Sequence, residues 1–247
     1  MSPANSIGFP FIELRKVEST NNYAMRLIHE GMAQHGTVVL AHEQTKGKGQ
    51  RNKQWISAPN QNLMFSLIIE PFGLSPAQVF LLSMSVANGV HTFFNKYAGD
   101  QTTIKWPNDL FWCDRKAGGI LIENIIQGAK WKQAIIGIGI NINQTDFGEF
   151  KKAVSLRMIT GTTYNTVELA KDLLFFLDQS LHTLANDVTS VIDLYHQNLY
   201  RLNETIDFKK DQTIHRGLLK GVNTKGQLLI QGGEREKLFN VGEIEWL

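Results

Sequence analysis

The sequence contains a single cysteine, Cys113, among its 247 residues. One cysteine cannot form an internal disulfide, and the amino-terminal residues MSPANSIGFPFIEL lack the basic start and apolar core of a secretory signal. The apolar runs are interrupted by polar residues or glycine, so none approaches the roughly 20 residues that cross a bilayer. We therefore expect a soluble, cytoplasmic protein with no membrane partner.

The chain also lacks an excess of charge of either sign, with 25 basic and 23 acidic residues. This balance creates no overall field that would attract nucleic acid or an anionic membrane. About ten residues precede the first predicted strand, far fewer than the roughly 50 of a small domain. The last part of the chain, from Glu204, has seven basic and seven acidic residues. We expect no DNA partner, and any charge-based function must be local.

Hydrophobic periodicity predicts strands and helices that follow one another through the first 200 residues. Strands are predicted at 11–17, 37–41, 62–70, 102–106, 119–124 and 134–140. Helices are predicted at 20–32, 76–97, 167–184 and 188–200. The sixth strand, AIIGIGI, is apolar enough to be buried on both faces, which favours a mixed sheet covered by helices.

The pattern changes near Leu202. Short strand candidates separated by glycine turns follow it, which is typical of a small β-barrel. The sequence therefore predicts a main domain over residues 1–202 and a small β-barrel domain over residues 203–247.

A basic, glycine-bearing segment, QTKGKGQRNKQW, runs from Gln44 to Trp55. It has four cations, no acid, and glycines at 47 and 49. Glycines let backbone N–H groups approach phosphate oxygens, and the cations would neutralise charge in phosphoryl or adenylyl chemistry. A solvated basic hairpin would explain the same residues.

Two further segments place cations beside a proline, which restricts the backbone, or beside a Gly-Gly pair, which lets it turn tightly. Residues 105–109, KWPND, follow a predicted strand directly and combine a cation, an aromatic ring, a proline, an amide and a carboxylate. The Pro-Asn-Asp part is also common in ordinary turns. Residues 115–119, RKAGG, bring cations next to a Gly-Gly pair, which a simple hairpin turn would also explain. Both segments are candidates for a site that binds an anion.

Two segments carry neutral polar groups. Residues 137–143, GIGININ, have glycines that could frame a flat ring or a ligand hydroxyl, or that simply allow tight packing. Ser19-Thr20-Asn21 is first of all an N-cap for the first helix, where the free N–H groups and hydroxyls could also receive a polar ligand.

In this order the segments resemble those of the biotin-protein ligase family. The family pattern is Ser-Thr-Asn, a GRGR-type loop ending in tryptophan, KWPND, K-x-GGIL and GIGIN-x-N, and the resemblance spans roughly Phe11 to Leu247. KWPND is its most specific element. The resemblance implies the monofunctional type without an amino-terminal DNA-binding domain. It also implies an α+β catalytic domain with a mixed sheet, of the class II synthetase-like biotin/lipoate ligase type, followed by the small β-barrel.

The resemblance also implies a two-step reaction. Biotin attacks the α-phosphate of ATP to give biotinyl-adenylate and pyrophosphate, and a lysine of a carrier domain then attacks the adenylate. The carrier would be the biotin carboxyl carrier protein of acetyl-CoA carboxylase, or of another biotin-dependent carboxylase such as pyruvate carboxylase. ATP and Mg²⁺ would be required, and both a monomer and a homodimer stay open.

Site residues follow from the matching motif positions. The implied biotin site consists of Ser19, Thr20, Asn21, Gln44, Gly47, Lys48, Gly49, Gln50, Lys116, Gly118 and Gly119. The implied ATP site consists of Lys48, Arg51, Trp55, Asn108 and Asn141. The implied catalytic cations are Lys48, Arg51, Lys105 and Lys116. Asp109 would either bind Mg²⁺ or position Lys105.

The chain departs from the family pattern in the basic segment, where Lys48 and Gln50 replace two arginines. Lysine keeps the charge without the bidentate fork, and glutamine has no charge. We predict that Arg51 partly compensates by turning inward. A lipoate or octanoyl ligase and a non-catalytic biotin-binding module are the alternative functions.

Overall fold

The computed structural model describes residues 7–71 and 73–247. Its large sheet contains strands β1 (Phe11–Leu14), β2 (Val38–Ala41), β5 (Leu63–Ile69), β6 (Thr102–Lys105), β7 (Asp109–Trp112), β8 (Arg115–Gln127) and β9 (Lys130–Ile140). The strand order is β1-β2-β5-β9-β8-β7-β6. β1 and β2 are parallel and the other neighbours are antiparallel, so the predicted mixed sheet is confirmed.

The centre of this sheet is buried on both faces. All residues of β5 are buried, and β5 pairs with β9 from Leu63–Ile140 to Ile69–Ala134. A continuous apolar strand of this kind needs cover on each side.

Helices supply that cover. They are α1 (Thr20–His29), α2 (Val79–Ala98), α3 (Leu156–Thr160), α4 (Thr166–Asn186) and α5 (Val188–Gln197). α1 packs Ala24 and Leu27 against Val39, Ile68 and Ile135 in a small core, while α2, α4 and α5 share the larger core. In the described ranges, no helix is both long and apolar enough to cross a membrane.

Ser19 precedes α1 with extended backbone, at φ −155°, but its side chain makes no capping hydrogen bond. Ser19 is therefore the N-cap of α1, as predicted, but without a capping bond from its hydroxyl. The amide N–H of Thr20 donates instead to the Gln44 side chain at 2.7 Å. The start of α1 is thus satisfied by a group from another loop, which ties the helix end to the basic segment.

A second sheet follows at residues 205–246. Its strands are β10 (Thr205–Lys210), β11 (Thr213–Val222), β12 (Leu228–Gly232), β13 (Arg235–Phe239) and β14 (Glu245–Trp246), in the order β13-β12-β11-β10-β14. All neighbours in it are antiparallel. A small antiparallel β unit is therefore present, and its closure into a barrel stays a prediction.

The second sheet shares a core with the first. Leu219, Leu228 and Ile230 belong to the same buried cluster as the large sheet and α2. The indole Nε1 of Trp106 donates to the carbonyl of Gly226 at 2.9 Å, in the turn between β11 and β12. The division at residue 202 stays a prediction, because the packing is continuous across it.

Candidate active site

A cavity of about 910 Å³ lies between the large sheet, the basic segment and the second sheet. Most of the residues expected from sequence line it: Ser19, Thr20, Asn21, Gln44, Lys48, Gly49, Gln50, Arg51, Trp55, Lys105, Asn108, Asp109, Lys116, Gly119 and Asn141. Gly47 and Gly118 do not line it. An added Cβ at Gly118 would lie 2.8 Å from the Gly139 carbonyl, and one at Gly47 would overlap the Trp55 carbonyl. These two glycines allow neighbouring strands to lie close together.

One end of the cavity has a neutral polar floor, formed by Thr20, Asn21 and Gln44; Ser66 supports it from behind and does not itself line the cavity. The Ser66 hydroxyl lies 2.8 Å from the Thr20 hydroxyl and 2.5 Å from Asn21 Oδ1. The Thr20 hydroxyl donates to Gln44 Oε1 at 3.2 Å. Thr20, Asn21 and Ser66 are each at most 3% exposed, so their orientations are fixed before any ligand binds.

Ser66 and Glu123 lie behind the cavity lining and hold residues that belong to it, and the sequence interpretation missed both. Ser66 is the polar residue inside the buried strand LMFSLII, and that isolated hydroxyl was the available signal. Glu123 accepts a hydrogen bond from Asn21 Nδ2 at 2.7 Å and pairs with Lys48 Nζ at 3.1 Å. Glu123 therefore connects the polar floor to the basic segment.

The glycines of β9 allow two side chains to rest on the strand. An added Cβ at Gly137 would overlap the Asn21 amide, and one at Gly139 would lie 2.7 Å from Trp55 Cε2. The flat ring that lies on Gly139 is thus the protein's own Trp55. Its indole Nε1 is buried and has no hydrogen-bond partner within the described ranges.

At the middle of the cavity, Lys116 and Asp109 form an ion pair. Lys116 Nζ lies 2.6 Å from Asp109 Oδ1, and both side chains are partly exposed to the cavity. The pair joins adjacent strands, because Asp109 faces Gly119 in the β7–β8 register. Asp109 thus has Lys116 as its direct partner.

Lys105 lies in an aromatic box. Its Nζ is 4.7 Å from the Phe111 ring centroid, 5.1 Å from Trp246 and 5.5 Å from Tyr200. Burial lowers the pKa of Lys105 below its ordinary value of 10.5; the charge of Asp109 opposes that shift, and neighbouring cations add to it. Asp109 therefore influences the pKa of Lys105 electrostatically, from a distance.

The two asparagines expected near adenine hold the backbone of the cavity wall. Asn108 Nδ2 donates to the Ile120 carbonyl at 2.5 Å. Asn141 Nδ2 lies 3.1 Å from the Val154 carbonyl and 3.3 Å from the Lys116 carbonyl. Asn141 thus has both of its donors directed at protein carbonyls, whereas Asn108 has one donor used and one left that a ligand could accept from.

The basic segment is a hairpin. β3 (Gly47–Lys48) pairs with β4 (Gln54–Trp55), and a 3₁₀ turn covers Gln50–Asn52. Arg51 has a left-handed backbone at φ 55°, and its side chain is exposed. The hairpin alternative thus describes the backbone correctly, while the side chains of the hairpin line the cavity.

The cavity residues could hold a magnesium ion only if a bound nucleotide supplied further ligands. Within the described ranges, no three His, Cys, Asp or Glu side chains are grouped as metal ligands. Mg²⁺ is usually held by one or two carboxylates and the phosphates of a nucleotide. Asp109 can supply one such carboxylate beside the cations that would contact phosphate.

Comparisons with known proteins agree with this arrangement. The Biotin/lipoate A/B protein ligase family matches residues 13–141, more than half of the chain. The chain is 26% identical over 242 residues to the Biotin--[acetyl-CoA-carboxylase] ligase of Paracoccus denitrificans, which covers 94% of this chain and 98% of that protein. It is 28% identical over 237 residues to the Bifunctional ligase/repressor BirA of Bacillus subtilis, covering 93% of this chain and 71% of that protein.

Among solved structures, the chain is similar to the biotin protein ligase from Aquifex aeolicus in complex with biotin and ATP. The TM-score is 0.80 at 26% identity, and the match covers 96% of this chain and 98% of that one. The likeness therefore extends over the large sheet and the second sheet alike.

Proposed function

Because the chain belongs to the biotin/lipoate A/B protein ligase family, we propose that it is an ATP-dependent enzyme that forms biotinyl-5′-AMP and transfers biotin to a lysine of a biotin carboxyl carrier domain. The curated relatives include a biotin--[acetyl-CoA-carboxylase] ligase, and a similar solved structure holds biotin and ATP. The observation that carries the proposal is one cavity in which a fixed neutral floor adjoins a cationic wall.

The polar floor suits the ureido end of biotin. Thr20, Asn21 and Gln44 offer neutral donors and acceptors to a neutral polar ring. The apolar dithiolane ring of lipoate has no N–H or carbonyl group to exchange hydrogen bonds with these side chains, so it would gain no polar contacts there. The floor therefore favours biotin over lipoate.

The cations suit the first half-reaction. A biotin carboxylate oxygen forms a bond to the α-phosphorus of ATP while the bond to the bridging oxygen breaks, and pyrophosphate leaves with that electron pair. Lys116 would bind the biotin carboxylate or the acyl phosphate, and Lys48, Arg51 and Lys105 would neutralise charge on the phosphates. Mg²⁺, held by Asp109 with phosphate oxygens, would supply further charge neutralisation.

The remaining contacts concern adenine and the second half-reaction. Trp55, Asn108 and Asn141 would bind the adenine end, as their positions along the cavity allow. The basic hairpin would cover the adenylate and limit its hydrolysis by water.

The carrier amine then attacks the acyl carbon, loses a proton and displaces AMP, so no residue of this chain need become a covalent nucleophile.

The carrier of acetyl-CoA carboxylase is the expected partner, as the name of the Paracoccus relative supports. The cytoplasmic location, the absence of DNA binding and the choice between monomer and homodimer stay predictions. Mg²⁺ dependence is proposed from the chemistry of Asp109.

A pyrophosphate-release assay tests the proposed chemistry without a carrier. With ATP and MgCl₂ present, adding biotin should start one rapid turnover of pyrophosphate release, and adding lipoate should not. Biotin binding without pyrophosphate release would make the protein a biotin-binding module. Release that depends on lipoate instead would make it a lipoate ligase.

A further inference from the structure

The aromatic box around Lys105 is assembled from three separate parts of the fold. Phe111 belongs to β7 of the large sheet, Tyr200 follows α5, and Trp246 belongs to β14 of the second sheet. The Tyr200 ring centroid lies 5.3 Å from that of Phe111 and 6.1 Å from that of Trp246. Tyr200 is therefore the ring that contacts both of the others.

Tyr200 is fixed at both ends of its side chain. Its hydroxyl donates to the carboxylate of Asp114 and accepts from Arg201 Nε at 3.0 Å. Its backbone N–H donates to the carbonyl of Ile104 at 2.9 Å, in the residue directly before Lys105. The ring is thus held at a set position relative to the strand that carries Lys105.

The box holds the Lys105 ammonium without occupying its donors. In the part of the chain that the structure describes, this ammonium makes no hydrogen bond and no ion pair, and its contacts are with the faces of the rings. A ring face attracts a cation through its electron density, so the N–H groups stay available to an anion. Lys116 differs, because its Nζ lies 2.6 Å from the Asp109 carboxylate.

Tyr200 lies outside the cavity lining, whereas Lys105 belongs to it. Any effect of the Tyr200 ring on a reaction in the cavity must therefore pass through a neighbouring side chain. A free lysine side chain samples many rotamers, and holding it in place beforehand removes that ordering cost from the reaction.

We propose that Tyr200 is a positioning residue, which holds the Lys105 ammonium in place for the phosphates of ATP through the aromatic box. The inference rests on the proposed function, in which Lys105 neutralises charge on the phosphates. It gives the two lysines of the cavity different supports: a carboxylate holds Lys116, and aromatic rings hold Lys105.

The test measures one turnover of pyrophosphate release at saturating biotin, ATP and MgCl₂. Lys105→Met removes the charge and should slow release about fivefold. Tyr200→Leu removes one ring of the box and should slow release about threefold, the order of effect of one cation–ring contact. The KM for biotin should not change in either variant, because the polar floor is intact. Tyr200→Phe keeps the ring and should recover most of the rate that Tyr200→Leu loses.

Phe176→Leu is the matched control. Lys96 Nζ lies 5.5 Å from the Phe176 ring centroid and 5.2 Å from that of Tyr97, so this variant also removes a ring beside a lysine. Phe176 is partly buried and does not line the cavity. Its loss should leave pyrophosphate release unchanged, and denaturant unfolding of both leucine variants shows how far each change destabilises the fold.

A double variant separates positioning from support of the fold. Tyr200→Leu should cause no further loss when Lys105→Met is already present, because the ring acts through that lysine. A threefold loss in both backgrounds, an equal loss from Phe176→Leu, or unchanged release from either single variant would each overturn the inference. If Tyr200→Leu does not fold, Trp246→Leu replaces it in the same comparison. Failure of the unsubstituted protein to release pyrophosphate with biotin would instead overturn the proposed function.

Discussion

The polar floor and the basic hairpin face the same cavity but are built differently. Thr20 and Asn21 of the floor are buried, as is Ser66 behind them, and the three side chains bond to one another across α1 and β5. The hairpin exposes Arg51 and holds Lys48 by a single partly exposed ion pair to Glu123. The floor, together with the Lys116–Asp109 pair, is organised before ligand binds, whereas the hairpin carries exposed cations with few fixed contacts. Changes in the fixed part should therefore damage formation of the adenylate, and changes in the hairpin should damage its retention.

The largest effect is expected from Lys116→Ala. This change removes the cation proposed to bind the reacting carboxylate and leaves Asp109 without its 2.6 Å partner. Biotin-dependent pyrophosphate release should fall by about 10²- to 10³-fold, as on losing a preorganised charge at a reacting centre. Single-turnover assays measure this fall. Lys132→Ala, on the exposed side of β9, is the control and should behave as the unsubstituted protein.

Asn21→Ala is expected to have the second-largest effect, and that effect should be on biotin binding. It removes the amide that contacts Glu123 and Ser66, so the floor loses its geometry. The KM for biotin should rise about 10- to 100-fold with a smaller change in kcat, because the lost contacts bind substrate and transition state alike. Steady-state kinetics test this. Asn22→Ala is the matched control, since Asn22 is the exposed neighbour; equal effects of the two would show that only α1 had been disturbed.

Arg51→Ala should affect retention of the intermediate. Adenylate should escape about tenfold faster, because one flexible cation is lost, while its formation changes less. Chase experiments on the bound adenylate measure the escape. Arg15→Ala, at an exposed arginine that does not line the cavity, provides the control. Unchanged formation and unchanged retention would refute the idea that Arg51 compensates for Lys48 and Gln50.

The smallest predicted effect is a decline of adenylate formation at alkaline pH, where Lys105 loses its charge. Burial lowers the pKa of this lysine, so it loses its charge at a lower pH than a free lysine, whose pKa is near 10.5. Adenylate formation should decline as pH rises through that lowered pKa, by about fivefold, because a charge acting from a distance contributes on the order of 1 kcal/mol. Rates measured between neutral and alkaline pH test this. Lys105→Arg keeps its charge and should not show the decline; the same decline in that variant would assign it to another group.

The elements with strong periodicity could be predicted from the sequence. The central strands and long helices match within a few residues: the strand expected at 134–140 is part of β9 (Lys130–Ile140), and the helix expected at 167–184 is α4 (Thr166–Asn186). β7 was missed because its four residues directly follow the Pro-Asn turn. β8 is longer than the strand expected at 119–124, because its first residues, the basic RKAGG segment, were interpreted as a possible hairpin turn.

The site was predictable in its motifs but not in its connections. The KWPND and GIGIN segments predicted which residues meet in the cavity. They did not predict that Glu123 joins Asn21 to Lys48, since these residues lie far apart in the chain. Such partners depend on strand register and on how the second sheet packs, which no local pattern encodes.

The most direct measurement is the intact mass of a carrier domain after incubation with the protein, ATP, MgCl₂ and biotin. The proposed function predicts a gain of one biotinyl group on one lysine of the carrier, dependent on both ATP and biotin, and none when lipoate replaces biotin. An unmodified carrier with biotin, or a carrier that gains a lipoyl group instead, would contradict it.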